Sequence, residues 1–379
     1  MKSRTFKHAT APFLRVLLVL GLMLGQFWSA FADAPRREFT KTYNREFGTT
    51  ANGTTALYNK YGKVNVNTWA NNSVKIDITI VVNADEQRAA DKMFDRIKFN
   101  FTSTAGYIKA ETVIEQGNGW WPSESSCQDF KINYEVWMPA GNQLDLKNRY
   151  GNSYVAAMNN KLLAEIKYGD LRTETINGDA DLNIGYGNTT MSGVQNLYGS
   201  ISYGEITLGS AKDIQLDTKY SEFKAERAGV VRITSKYDNF DIGSLSELRL
   251  QTKYSSLKLK QARAVYVTSQ YTDVEAASVT DVLDVDMTYG DLKIASVSKS
   301  FSSVNIISKY TDVQVITERG SAFRFNAEGA YTGLRYPSSA TIRRRDESNS
   351  RESVEGFVGD ANAKGMVKAR MSYGDFVLK

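Results

Sequence analysis

One tyrosine register constrains this chain more than any other feature. Tyrosines stand at 150, 168, 186, 203, 220, 237, 254, 271, 289, 310, 331 and 373, at steps of 17, 18 or 21 residues and a final step of 42, twice 21. Twelve of the 21 tyrosines therefore share one register. Their settings repeat too, as in Lys167-Tyr168-Gly169-Asp170-Leu171, Lys253-Tyr254-Ser255-Ser256-Leu257, Tyr289-Gly290-Asp291-Leu292 and Tyr373-Gly374-Asp375-Phe376. A period of this length signals stacked supersecondary units, none of which can bury its apolar face alone.

Counting outward from each tyrosine gives the faces. Six residues before it every position is apolar, from Leu144 and Leu162 through Val231 and Leu248 to Phe325 and Val367. Four before, only Gly199 breaks the pattern. Three after, Leu171, Phe223, Phe240 and Leu292 are apolar, and the residue following each is charged or polar: Arg172, Lys224, Asp241, Lys293. This is period 2, the mark of strands. No proline occurs between Pro139 and Pro337, as hydrogen-bonded strands require. Two short strands and a further apolar contact in 17–21 residues make one turn of a coil. Successive turns pair as parallel strands about 4.8 Å apart. Extending the inward parity of positions six, four and two before the tyrosine predicts an inward ring at a buried corner. Turn-forming Gly, Ser, Thr or Asp residues follow it.

The start of the chain has the pattern of a signal peptide. Lys2, Arg4, Lys7 and Arg15 precede the apolar run 16–24, and Ala30-Phe31-Ala32 supplies a small-residue cleavage site. About nine apolar residues are too few for a membrane span of ~20. Removal of 1–32 leaves 43 Lys+Arg against 42 Asp+Glu, which removes the basic footprint expected of a nucleic-acid partner. His8, the single histidine, lies in that leader, so the mature chain has no imidazole for a triad or a metal. One cysteine, Cys127, excludes an internal disulfide framework and a Cys-based zinc site.

Residues 33–142 do not follow the repeat. Stretches 63–69, 74–82, 97–102, 107–113 and 130–138 read as strands. Asn83 with Glu86 resembles a cap for a short helix that places Ala89, Met93 and Ile97 on one face. Tyr61-Gly62 with Val64 and Val66 looks like an early copy of the corner. The expected division is a leader, 1–32, a small mostly-β capping domain with one helix, 33–142, and a solenoid, 143–379. Within the last, 338–355 reads as a solvated insertion loop carrying Arg343-Arg344-Arg345-Asp346-Glu347.

The pattern of signal peptide, β-rich start, Pro139 before Leu144-Asp145-Leu146-Lys147-Asn148-Arg149-Tyr150-Gly151, and repeated Tyr-Gly-Asp-Leu corners resembles adhesin-like envelope proteins of Gram-negative bacteria. The resemblance implies an all-β, right-handed parallel β-helix. It brings no catalytic residues with it.

No catalytic, cofactor or metal motif stands out. Asp170, Asp273, Asp291, Asp312 and Asp375 share one register, two residues after the tyrosine, but alternate with Asn152, Glu205, Asn239 and Ser256, as a turn position requires. Ser296-Val297-Ser298-Lys299 matches S-x-x-K without its helix or companion motifs. Two features can bind a ligand. Trp120 and Trp121 sit in a loop-like stretch and can stack on a sugar or anchor a partner. Lys219, Lys236 and Lys253 stand one residue before the tyrosine on three successive turns, outward by parity, facing either a polyanion or nearby Asp217, Glu222 and Asp241. The expectation is an exported, non-enzymatic, adhesin-like envelope protein without a cofactor. It would bind a glycan or an envelope protein, and its oligomeric state is left open. A polysaccharide-degrading β-helix enzyme and a structural or regulatory partner of an envelope complex are the alternatives.

Overall fold

The computed structural model describes residues 37–115 and 129–379. Trp120, Trp121, Cys127 and the leader lie outside the described residues. The repeat region is a parallel β-solenoid. Leu162–Lys167 pairs in parallel with Gln143–Arg149 on one side and Ala180–Gly185 on the other. After its corner, Leu171–Ile176 pairs with Ser153–Val155 and with Thr189–Ser202. Farther along, Glu205–Lys219, Glu222–Lys236, Asn239–Lys253 and Ser256–Gln270 each run from one corner to the next. Their register sets Ile214, Val231, Leu248 and Val265 side by side. These four are fully buried, like every residue six positions before a register tyrosine. Each such side chain contributes about 1.5–3 kcal/mol by leaving water, and a single column therefore holds successive turns together.

The tyrosines do not point inward. Thirteen of them, Tyr61 included, take φ between 51 and 62°, and their rings are 39–62% exposed. The left-handed corner is the reason. It turns the chain and shifts the alternation by one residue, so that Thr218 and Ser221 are both buried while Tyr220 between them is not. The inward positions are even before the corner and odd after it, as in Phe223 and Ala225. The rings instead form one external stack, with centroids 4.7–5.2 Å apart and planes within 13°.

The residue after the tyrosine is constrained by the turn beneath it. A Cβ on Gly187 would meet the Gly169 carbonyl oxygen at 1.9 Å, and one on Gly204 the Gly187 oxygen at 2.0 Å. In the middle turns Ser221, Asp238, Ser255 and Thr272 take this position, and their side chains join a polar ladder inside the corner. Asp238 accepts hydrogen bonds from Thr218 Oγ1 and the Ser221 amide, each at 2.6 Å. Thr252 Oγ1 donates to Ser255 Oγ at 2.6 Å.

Both ends depart from sequence order. Thr54–Lys60 and Val64–Trp69 form a turn with its own Tyr61 corner, so the stack reaches back to Thr54. Tyr107–Ile114 and Asp129–Pro139 cover its other side. Antiparallel strands Ile97–Thr104, Ser73–Ala84 and Arg37–Gly48 complete that end. Helix Gln87–Arg96 buries Ala90, Met93 and Phe94, and no side chain caps it. The expected cap, Asn83, lies in strand Ser73–Ala84 and donates to Asp129 instead.

At the far end the final turn, Gly365–Ser372 and Phe376–Leu378, threads between Ser303–Thr317 and Phe323–Ala330. Tyr373 accordingly stacks between Tyr310 and Tyr331. The segment expected as a loop is a hairpin, Thr341–Ser348 and Arg351–Val358, turned at left-handed Asn349. Its second strand pairs antiparallel with Phe323–Ala330, so the outermost edge is Thr341–Ser348, whose Arg343, Arg344 and Arg345 discourage further strand pairing.

Candidate functional site: an outward-facing groove across six turns

Strand geometry places the residues five, three and one before each tyrosine on the outer face of the sheet that precedes the corner. Over six turns this face is an open groove of about 930 Å³. Its first row runs Asp181, Tyr198, Gln215, Arg232, Arg249, Tyr266, each paired in register with the next. Its second row runs Asn183, Ser200, Asp217, Thr234, Gln251, Thr268 in the same way. Gly199 occupies an inward position that is apolar on every other turn of the register. Its φ is +129° and a Cβ there would meet the Leu182 carbonyl oxygen at 1.9 Å, so the wall of the groove needs glycine at this point.

Lys219, Lys236 and Lys253 border the groove on its corner side and are exposed. Lys219 is in register with Lys236, and the Tyr237 amide donates to the Lys253 carbonyl, so the three form one column. None makes an ion pair with the acids expected to neutralise it. Glu222 pairs with Lys224 instead, at 3.0 Å. Arg249 donates to Glu247 at 2.6 Å and lies over the Tyr266 ring at 4.2 Å. Arg232 makes no ion pair among the described residues.

The groove carries aromatic, amide, hydroxyl and cationic side chains and two carboxylates. A general-acid carboxyl owes its raised pKa to burial, and Asp181 and Asp217 are exposed and two turns apart. The one carboxyl near here that burial pushes up is Asp238, which faces the interior. No group of three or more His, Cys, Asp or Glu among the described residues can hold a metal ion.

The aspartate register acts as a turn. Asn152, Asp170 and Asn188 accept the backbone N–H of the next turn through Oδ1, at 2.8–3.0 Å, and Asp273 and Asp312 do the same. Threading of the last turn places Asp375 directly beside Asp312, an adjacency absent from the linear order. A second depression of about 470 Å³, between Lys63 and Thr190, lies over these side chains. Most of its polar groups are already engaged, such as Asn65 with Glu135 and Tyr154 with Glu174.

No protein-family model matches this chain, and comparison with curated proteins returned no match. Solved structures that resemble it include a "putative cell adhesion protein" from Clostridium sporogenes, 9% identical over 90% of this chain and 99% of the other, with a TM-score of 0.17. A "putative adhesin" from Parabacteroides merdae is 9% identical over 74% and 92%, with a TM-score of 0.29. Another from Bacteroides fragilis is 11% identical over 89% and 97%, with a TM-score of 0.23.

Of the residues singled out from sequence, the structure brings Lys219, Lys236 and Lys253 together at the border of the groove. Tyr198, Arg232, Arg249 and Tyr266 were missed. The signal available for them was the outward parity five residues before the tyrosine, combined with the single Gly199 exception.

Proposed function

We propose that this is an exported, non-catalytic binding protein of the cell envelope, adhesin-like in role, which holds a glycan chain in the groove between Asp181 and Thr268. The observation that carries this reading is a six-turn open groove that offers aromatic rings, amides, hydroxyls and cations together, with no buried carboxyl pair. Such sites bind by shape and by a few convergent polar groups. Strands paired on both sides fix the backbone that carries those groups, so the ordering cost on binding is confined to the side chains. Among the described residues no helix is long and apolar enough to cross a membrane, and the leader pattern supports export with cleavage after Ala32.

A pull-down with the exported chain, paired with glycan binding by the parent and by a Tyr198→Ala/Tyr266→Ala double variant, tests the reading. Ligand capture by the parent and its loss in the double variant is the expected result. Equal capture by both places the site elsewhere, and cleavage of the captured glycan makes the protein an enzyme. N-terminal sequencing of the exported form is expected to begin at Asp33, and a mature fraction retaining Met1 would contradict export.

A further inference from the structure

The groove is not uniform along its length, and its charge is ordered. Its middle three turns present nine outward side chains: Gln215, Asp217 and Lys219, then Arg232, Thr234 and Lys236, then Arg249, Gln251 and Lys253. Five are cations and one is a carboxylate. On either side stands a turn without charge that carries one aromatic ring, Tyr198 with Ser200 and Ser202, and Tyr266 with Thr268 and Gln270. Beyond these the sign reverses, to Asp181 on one side and to Asp284 and Asp286 on the other.

We propose that the groove selects an acidic glycan, with one or more carboxylate or sulfate groups over Arg232, Lys236 and their neighbours and with sugar rings against Tyr198 and Tyr266. This rests on the glycan-binding reading above and adds the charge and register of the ligand.

Three observations support it. First, Lys219, Lys236 and Lys253 form a column of like charge at the spacing of the turns, about 4.8 Å. Like charges anchored in one such column repel each other to the extent that their side chains do not splay apart, and a bound anion lowers that repulsion. Second, some cations elsewhere on the solenoid are neutralised within the fold, as Lys224 is by Glu205 and Glu222, Lys293 by Asp291 and Arg263 by Asp281, while others such as Lys258 and Lys260 stand singly without an ion pair among the described residues. Arg232 and the three lysines make no ion pair among the described residues, so no internal counterion competes with a ligand. Third, the two aromatic side chains are four turns apart, about 19 Å at the strand spacing, with the cations between them. A point anion needs no such brackets. An extended molecule with ring faces at its ends and negative charge in its centre matches the pattern. The acidic outer turns disfavour longer runs of negative charge, so charge confined to the centre of the bound segment fits better than a uniform polyanion.

An array that carries uronate-containing, sialylated, sulfated and neutral glycans, together with poly-glutamate, tests the proposal on the full exported chain. The expected result is retention of acidic glycans in preference to neutral ones, falling as ionic strength rises from about 0.05 to 0.5 M because the contacts are screened. Arg232→Gln/Lys236→Gln should weaken that retention about tenfold or more, equivalent to losing two partly exposed charge contacts. Lys258→Gln/Lys260→Gln, on the other sheet, should leave it unchanged. Retention of neutral glycans alone, insensitive to salt and to Arg232→Gln/Lys236→Gln, overturns the acidic-ligand proposal and leaves the glycan reading intact. Equal retention of poly-glutamate overturns it too, because charge alone would then suffice. Retention of nothing on the array defeats both readings.

Discussion

Replacing Tyr237 by alanine and, separately, by glycine isolates what the tyrosine corner contributes. The ring is 46% exposed, so about half of the ~1.5–3 kcal/mol available from full burial is at stake. It stacks on Tyr220 at 4.8 Å and on Tyr254 at 4.9 Å, and each stack adds ~0.5–1.5 kcal/mol. Tyr237→Ala should therefore destabilise by about 2–4 kcal/mol. Tyr237→Gly loses the same contacts. It also removes the conformational penalty that any Cβ-bearing residue meets at φ 61°, worth ~1–2 kcal/mol, against a somewhat greater loss of chain entropy. The glycine variant should thus be the more stable of the two by roughly 1 kcal/mol. In an ordinary strand the order reverses, and Lys258→Ala against Lys258→Gly supplies that comparison. Urea midpoints followed by circular dichroism rank all four. If Tyr237→Ala equals or exceeds Tyr237→Gly, the left-handed corner is not the constraint that turns these rings outward.

Three further outcomes follow from the same geometry. Gly187→Ala drives a Cβ to 1.9 Å from the Gly169 carbonyl oxygen and should destabilise by more than ~2 kcal/mol, whereas Gly185→Ala, with open space around its Cβ, should be nearly silent in the same melts. Burial raises the Asp238 carboxyl above its ordinary value of 3.8, so its contribution is fully present below that value and is lost as pH rises through the raised one. Thermal melts should therefore show Asp238→Asn gaining on the parent from acidic to neutral pH, and a pH-independent difference would refute the assignment. Deleting 363–379 removes the strands between Ser303–Thr317 and Phe323–Ala330. Hydrogen exchange should then accelerate at that end while the turns from Tyr186 to Tyr254 keep their protection, and uniform protection would show that the threaded turn is dispensable.

The period, the strands and the inward columns were legible because stacking in register turns a linear repeat into columns. Any position that faces the core on one turn must do so on all of them. The N-terminal strands from 63 to 138 were legible as strand-like runs outside the repeat, although Thr54–Lys60 and Arg37–Gly48 were not, because neither run carries a clean alternation. The groove was half legible. Parity located Lys219, Lys236 and Lys253 on the outer face, but a groove is a property of the surface across six turns, and no single repeat displays it.

The sequence by itself pointed to the solenoid, since apolar positions that recur every 17–21 residues become continuous buried columns when successive turns stack in register. It also contained the slip at the corner: the inward positions are even before each tyrosine and odd after it. What it did not reveal is which residue absorbs that slip, because parity can be extended from either side with equal right. Tertiary structure decides it by placing the tyrosine in the left-handed region, where the next residue can pass close over the carbonyl of the turn below and the ring stacks outside. Tertiary structure alone also places Tyr373 between Tyr310 and Tyr331. Strand pairing depends on matching faces and open edges rather than on order along the chain, and the hairpin between Thr341 and Val358 had already taken the outer edge of the Tyr331 turn.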